Sequence, residues 1–322
     1  MENHVDRTIL EDRFKGCILG AAIGDALGMP TESLTFQEEL NHYFKGPVKD
    51  FQRAPYGYPC ANLEAGQYTD DTQQMIILAN SLIKNRGFNL EDFAKGIGEW
   101  GYKCKTEKGY NRFGGCTSIE AALDIHNGKN PKEAGIISIS CGAAMRTAPI
   151  GLFYSNSDKL RDYAKEAAQV THIHPGAVSS AIFISSLISN IINGKDSAEA
   201  LRDARKEITF DLGHLIDDVE HMINEDKKSV SEIAKIIGAS HSSYQTVPMA
   251  VACFLNSPED YEQTIINGAN MIPGDTDSIA CIAGAISGAY NGYGKIPERF
   301  KEKIESRKEL EDIALKLLLS SR

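Results

Sequence analysis

Apolar residues recur along most of this chain every three to four positions, the period of a helix with one face buried. The pattern predicts helices near 7–28, 70–85, 90–104, 116–127, 141–153, 175–193, 214–224, 228–238, 246–256, 258–270, 275–291 and 308–320. Strand-like alternation is nearly absent, so the expected fold class is all-α. One stretch breaks the rhythm: 45–67, KGPVKDFQRAPYGYPCANLEAGQ, rich in Pro and Gly. A loop that long inside a compact domain is uncommon and usually functional. It delivers the chain to Asp70. With no repeat, low-complexity tract or linker, residues 1–322 are expected to form a single domain.

Within the first predicted helix, Gly16, Gly20, Gly24 and Gly28 are spaced by four. Each glycine costs a helix about 1 kcal/mol relative to alanine. A stripe of four therefore implies close approach of another helix or of a ligand. Asp25 lies in the same helix and Glu32 just beyond it, and a buried acid needs a partner.

Two further acidic clusters share one grammar. Tyr68-Thr69-Asp70-Asp71-Thr72 and Pro273-Gly274-Asp275-Thr276-Asp277-Ser278 each place two carboxylates and hydroxyls directly before a buried helix. Helix capping against the macrodipole would explain either one alone. A cap needs one acceptor, however, and each cluster offers two carboxylates. If the clusters meet, four carboxylates converge, Glu32 could make a fifth, and compensation is required. Neither cluster has a lysine nearby in sequence. The donors are hard oxygens, suited to Mg²⁺, Mn²⁺ or Ca²⁺ rather than zinc. An EF-hand is excluded, because Ile279 and Ala280 stand where an acceptor and a glycine are needed.

Three weaker signals accompany them. Ser138-Ile-Ser-Cys-Gly142-Ala-Ala-Met-Arg146 reads as a turn opening a helix, a natural phosphate seat or simply a helix start. Arg112-Phe-Gly-Gly-Cys-Thr-Ser118 is a second glycine turn, with Phe113 placed to stack on a base. Thr171-His172-Ile-His174-Pro175 puts two histidines before a helix, as a polar loop or as ligands. The remaining histidines carry no pattern.

Composition narrows the function classes. The chain is 42 % hydrophobic and 24 % charged, enough to build a core, and its formal net charge of −10 argues against non-specific nucleic-acid binding. Its seven cysteines are scattered without a C-x-x-C pair, so neither a disulfide framework nor a thiolate zinc site is encoded. The polar N-terminus lacks a signal-peptide core. The best membrane candidate, Ala181–Ile192, is too short and is broken by serines. A cytoplasmic protein without membrane association is expected.

These segments together resemble the ADP-ribosylglycohydrolase family, which includes the dinitrogenase reductase-activating glycohydrolases and the ADP-ribosyl-acceptor hydrolases. The matching stretches are Gly16 to Gly28 with Asp25, Glu32, Thr69 to Thr72, Gly142 to Arg146 with Pro149, Thr171 to Pro175, and Gly274 to Asp277. They run in the family's order over roughly 16–295. The resemblance implies an all-helical, usually monomeric fold holding two Mg²⁺ or Mn²⁺ ions. It implies metal ligation by Thr69, Asp70 and Asp71 from one side and by Asp275, Asp277 and Ser278 from the other. Glu32 and Asp71 would be the catalytic acid/base candidates. Gly142, Ala143, Ala144 and Met145 would face the diphosphate and distal ribose, and Phe113 and His172 would border ADP-ribose, with Asp25 and Gly114 also on the substrate side. The implied reaction is metal-dependent hydrolysis of the glycosidic bond between ADP-ribose and a protein side chain or small acceptor. A metal-dependent nucleotide phosphohydrolase is the alternative enzyme, although no D-D-x-x-D or paired E-x-x-E motif appears. A non-catalytic ADP-ribose-binding or structural relative is the third reading. Departures from the family pattern are Cys141 where many relatives carry Asn, Pro273 in place of Gly, Ser278 in place of Thr, and Arg112 where nitrogenase-regulating members carry an acid.

Overall fold

The computed structural model describes residues 6–321. Among them are seventeen α-helices and three short 3₁₀ turns. No strand occurs among the described residues, only isolated bridges joining Ile136 to His172 and Ser140 to Ser242. The fold is all-α, as the periodicity predicts. Seven helices shape the site: α1 (Arg7–Gly28), α2 (Asp70–Asn85), α3 (Leu90–Thr106), α4 (Cys116–His126), α5 (Pro175–Ile192), α6 (Ser243–Asn256) and α7 (Thr276–Asn291).

The glycine stripe of α1 has its explanation in α7. A Cβ added at Gly16, Gly20, Gly24 or Gly28 would lie 2.5 Å or less from a backbone oxygen of Gly288, Gly284, Ala280 or Thr276, respectively. Two helices from opposite ends of the chain thus run backbone to backbone. Gly28 lies against Thr276, which brings the end of α1, with Asp25 and Glu32, beside the start of α7.

One continuous apolar core runs from Phe14 to Leu318, and a small satellite of Met29, Ala54, Cys60 and Leu63 packs against Phe113. Helix α5 is long and apolar enough to cross a bilayer, with a mean hydropathy of 1.5, yet 89 % of it is enclosed by other helices. Its burial among other helices accounts for that composition.

Two differences from the periodic reading stand out. The expected helix at 141–153 is divided into a 3₁₀ turn, Cys141–Ala143, and a short helix, Ala148–Phe153. Pro149 sits in the first turn of the latter, where its missing N–H is tolerated, and it could not have served inside a longer helix. Five helices also lie outside the expected set: Glu38–Phe44, Pro131–Ala134, Leu160–Gln169, Ser197–Arg205 and Glu298–Lys303. The buried stripe of Leu160–Gln169 is Leu160, Ala164, Ala167 and Ala168, and that of Ser197–Arg205 is Ala200, Leu201 and Ala204. Stripes built mostly of alanine give little contrast against a polar face.

Candidate metal centre and substrate cavity

Both acidic clusters begin helices. Thr69 adopts an extended conformation at the N-cap of α2, its hydroxyl accepting from Asp71 N at 3.4 Å. Asp70 and Asp71 follow in the first turn, and the Asp70 amide donates to Arg112 O. Asp275 is the N-cap of α7, with its amide bound to Ala239 O at 2.7 Å. Asp277 accepts from the Ser278 amide at 2.8 Å.

The two starts face each other across a cavity of about 580 Å³, within the range of small-molecule sites. Glu32, Asp70, Asp71, Asp275, Asp277 and Ser278 line it, together with Phe113, Gly114, Gly142 and Met145. The long 45–67 stretch contributes Pro59 to the rim.

Several residues that the resemblance places around the ligand stand elsewhere. Asp25 is wholly buried beneath the cavity: it accepts from Thr69 N (2.9 Å), Thr72 N (3.0 Å) and Thr72 Oγ1 (2.6 Å). It clamps the start of α2 onto α1 and presents nothing to a substrate. Ala143 and Ala144 lie in the apolar core.

His172 is also fully buried, behind Ser140, and closes a polar chain that starts at Asp70. Gln74 donates to Asp70 Oδ2 (2.7 Å) and accepts from Arg146 (2.5 Å), which also donates to Thr171 Oγ1 (2.7 Å). Thr171 Oγ1 lies 2.8 Å from His172 Nδ1, and His172 Nε2 lies 2.8 Å from Ser140 Oγ. Thr171 Oγ1 accepts from Arg146 and keeps its own O–H free to donate to His172 Nδ1; in that tautomer Nε2–H of the neutral ring donates to Ser140 Oγ. Burial, and then the Arg146 charge, push His172 down to about 3, consistent with the neutral ring. Arg112 turns away from the cavity to pair with Glu305 over the Tyr68 ring.

The electrostatics of the two clusters differ. Burial, followed by neighbouring charges, raises Asp70 to about 7 and drives Asp71, Asp277 and Glu32 well above the usual carboxylate range. Burial also lifts Asp25, to about 6, against the hydrogen bonds from Thr72 and Thr69 that favour its charge. Asp275 alone is lowered: burial would raise it, but donors from His241, Cys141 and Thr246 outweigh that. Cys141 Sγ lies 3.0 Å from Asp275 Oδ2, and burial beside Asp275 raises its thiol, so it acts as a neutral donor rather than a thiolate ligand. Glu32 Oε2 accepts from Thr276 N at 2.6 Å.

His241 escapes a reading of the histidines by pattern. Its Nδ1 lies 3.4 Å from Asp275 Oδ1 and 3.7 Å from Glu32 Oε1. The available signal was Ser240-His241-Ser242-Ser243, a third polar turn directly before a buried helix.

Asp71 Oδ2 is buried without any hydrogen-bond partner among the described residues. Crowded carboxylates with an unsatisfied oxygen require either protons or a cation. The donor set of carboxylates, hydroxyl and imidazole fits a divalent cation.

Fold and site define an all-helical protein built around an acid-lined cavity. The sequence pattern of the ADP-ribosylglycohydrolase family matches residues 6–322. An uncharacterized protein of Archaeoglobus fulgidus is 36 % identical over 310 residues, spanning 96 % of each chain. The ADP-ribosylhydrolase ARH3 of Homo sapiens is 27 % identical over 344 residues, covering 95 % of this chain and 92 % of its own. A solved structure described as an ADP-ribosylglycohydrolase-related protein complex matches with a TM-score of 0.79 and 25 % identity, over 98 % of this chain and 100 % of that one. The chain belongs to the ADP-ribosylglycohydrolase family. Its class is therefore that of a glycohydrolase.

Proposed function

We propose that this protein hydrolyses the N- or O-glycosidic bond joining ADP-ribose to a protein side chain or small acceptor, acting as a single-domain monomer. The observation that carries the proposal is the convergence of Glu32, Asp70, Asp71, Asp275 and Asp277 on one cavity where Asp71 Oδ2 has no partner. The name of the ARH3 relatives, ADP-ribosylhydrolase, supports the same reaction.

Thr69, Asp70 and Asp71 would hold two divalent cations, Mg²⁺ or Mn²⁺, from one side, and Asp275, Asp277 and Ser278 from the other. Bound there, such ions supply Lewis acidity and lower the pKa of water. Glu32 is anchored through Oε2 by Thr276 and keeps Oε1 toward the cavity side, so it can exchange a proton at Oε1 without losing its position. Its raised affinity for a proton suits the acid/base role. Asp71, aligned by the first turn of α2, is the second candidate to accept the proton of the attacking water. Positive charge growing on the ribose in an oxocarbenium-like transition state would be offset by the surrounding carboxylates. Phe113, Gly114, Gly142 and Met145 would take the rest of ADP-ribose. Phe113 has φ of 70°, an uncommon conformation for a bulky side chain, and its packing on Cys60 and Leu63 holds it at the cavity edge.

The test is release of ADP-ribose from arginine- and serine-modified peptides with Mg²⁺ or Mn²⁺. EDTA, Asp70→Asn and Asp277→Asn are each expected to reduce turnover by roughly a hundredfold or more. Turnover unaffected by all three would overturn the proposal.

A further inference from the structure

We propose that His241 adds an imidazole nitrogen to the cation centre, so that this protein prefers an ion that accepts nitrogen, Mn²⁺, over Mg²⁺. The inference rests on the metal centre of the preceding reading.

The local chain holds the imidazole where a ligand would be needed. The His241 carbonyl accepts from Cys141 N at 2.9 Å, and Ala239, two residues earlier, accepts from the Asp275 amide at 2.7 Å. The segment is thereby tied to both the Cys141 turn and the start of α7. Its side chain reaches the cavity from the solvent side, about two-thirds exposed.

Each neighbouring carboxylate divides its oxygens between two tasks. Glu32 gives Oε2 to Thr276, and Asp275 gives Oδ2 to Cys141 and Thr246. The other oxygens, Glu32 Oε1 and Asp275 Oδ1, face His241 Nδ1 at 3.7 and 3.4 Å; without a cation Nδ1 donates its proton to Asp275, and a bound cation would take that proton's place. All three donor atoms fall within 4.8 Å of one another. Adjacent corners of an octahedron with bonds of about 2.1 Å are about 3 Å apart, so a cation among the three needs only a small inward shift. Independently, Asp71, which lines the same cavity, carries a buried oxygen, Oδ2, without a hydrogen-bond partner.

Ligand chemistry then sets the preference. Mg²⁺ demands oxygen donors and retains water, whereas first-row transition ions accept imidazole readily. An oxygen-only site would discriminate little in favour of Mn²⁺. One nitrogen tips the balance.

The experiment uses the full chain, stripped with EDTA and loaded with Mn²⁺. Pulsed electron paramagnetic resonance should show ¹⁴N modulation that becomes ¹⁵N on histidine labelling and disappears in His241→Ala. Titration calorimetry should show Mn²⁺ affinity falling about tenfold in that variant while Mg²⁺ affinity holds. The exposed side chain makes the variant tolerable to the fold, and an unchanged thermal melt of the stripped protein checks this. Mn²⁺ bound without nitrogen modulation overturns the proposal and leaves His241 as a charge partner of the carboxylates. Equal losses for both ions overturn it too. Failure of Mn²⁺ to bind at all would overturn the metal centre itself along with it.

Discussion

The starts of α2 and α7 carry nearly the same sequence grammar, yet their surroundings supply them unequally: Asp275 is lowered, whereas Asp277 is raised like Asp70 and Asp71. At α2 the acids stand over another buried acid, Asp25, and the nearest buried cation, Arg146, reaches Asp70 only through Gln74. One oxygen of Asp71 has no donor. At α7 Asp275 is served by a thiol, a hydroxyl and an imidazole, and it alone is held below its ordinary value. Charge state in a buried site is thus decided by the donors that other segments bring, more than by the acid pair itself. The α2 acids are under-supplied with donors; at α7 Asp275 is well supplied, and Asp277, raised like them, is not.

The strongest way to break the comparison is to part the two helices. In Gly24→Leu a side chain would strike the Ala280 backbone, which cannot give way without shifting α7. We expect a loss of at least about 3 kcal/mol in urea unfolding of the cation-free protein. Wild-type stability in this variant would show that backbone contact is not what aligns the two starts.

A second prediction sharpens the difference in charge. In the cation-free folded protein, Asp25 and Asp70 titrate near 6 and 7 rather than 3.8. Over that interval the folded state binds protons that the unfolded chain has released, so their stabilising contribution is complete below about pH 4 and is lost as pH rises through both values. Asp275, lowered, acts in the reverse sense: its contribution is present above the ordinary value and is lost on acidification. The Tm of EDTA-treated protein should therefore fall between about pH 5 and 8, and Mg²⁺ or Mn²⁺ should reduce the fall. Asp70→Asn should flatten it and Asp275→Asn should not. A profile insensitive to added cation would remove the contrast.

The smallest expected effect tests the well-supplied side. Thr246→Val removes one buried donor from Asp275 while keeping the side-chain shape, and should cost about 1–2 kcal/mol in denaturant unfolding. No loss would mean that the thiol and imidazole suffice.

Much of this was visible in the chain itself. The start of α2 follows from its cap residue Thr69, which acts locally, and the glycine spacing of α1 announced a close contact with another element. That the two acid clusters meet could be suspected from their shared pattern, because four unpaired carboxylates demand an explanation wherever they lie. The role of Asp25 was hidden, since only the fold shows that its oxygens are spent on Thr69 and Thr72. His172 was misplaced for a similar reason: a polar residue before a helix can face a ligand or stand one layer behind, and Ser140 is what separates the two cases. His241 went unnoticed because its partners lie about 35 and 210 positions away, and no local pattern marks them.

The glycine contact between α1 and α7 also bears on how the protein is made. A chain emerging from the ribosome presents Gly16 to Gly28 long before Thr276 to Gly288 exists to cover them. Until α7 has been made, α1 has a bare backbone seam and the first acid pair has no counterpart. A product terminated before Asp275 would lack Asp275, Asp277 and Ser278, so the acid-lined cavity can be completed only on a chain that has been read through the start of α7.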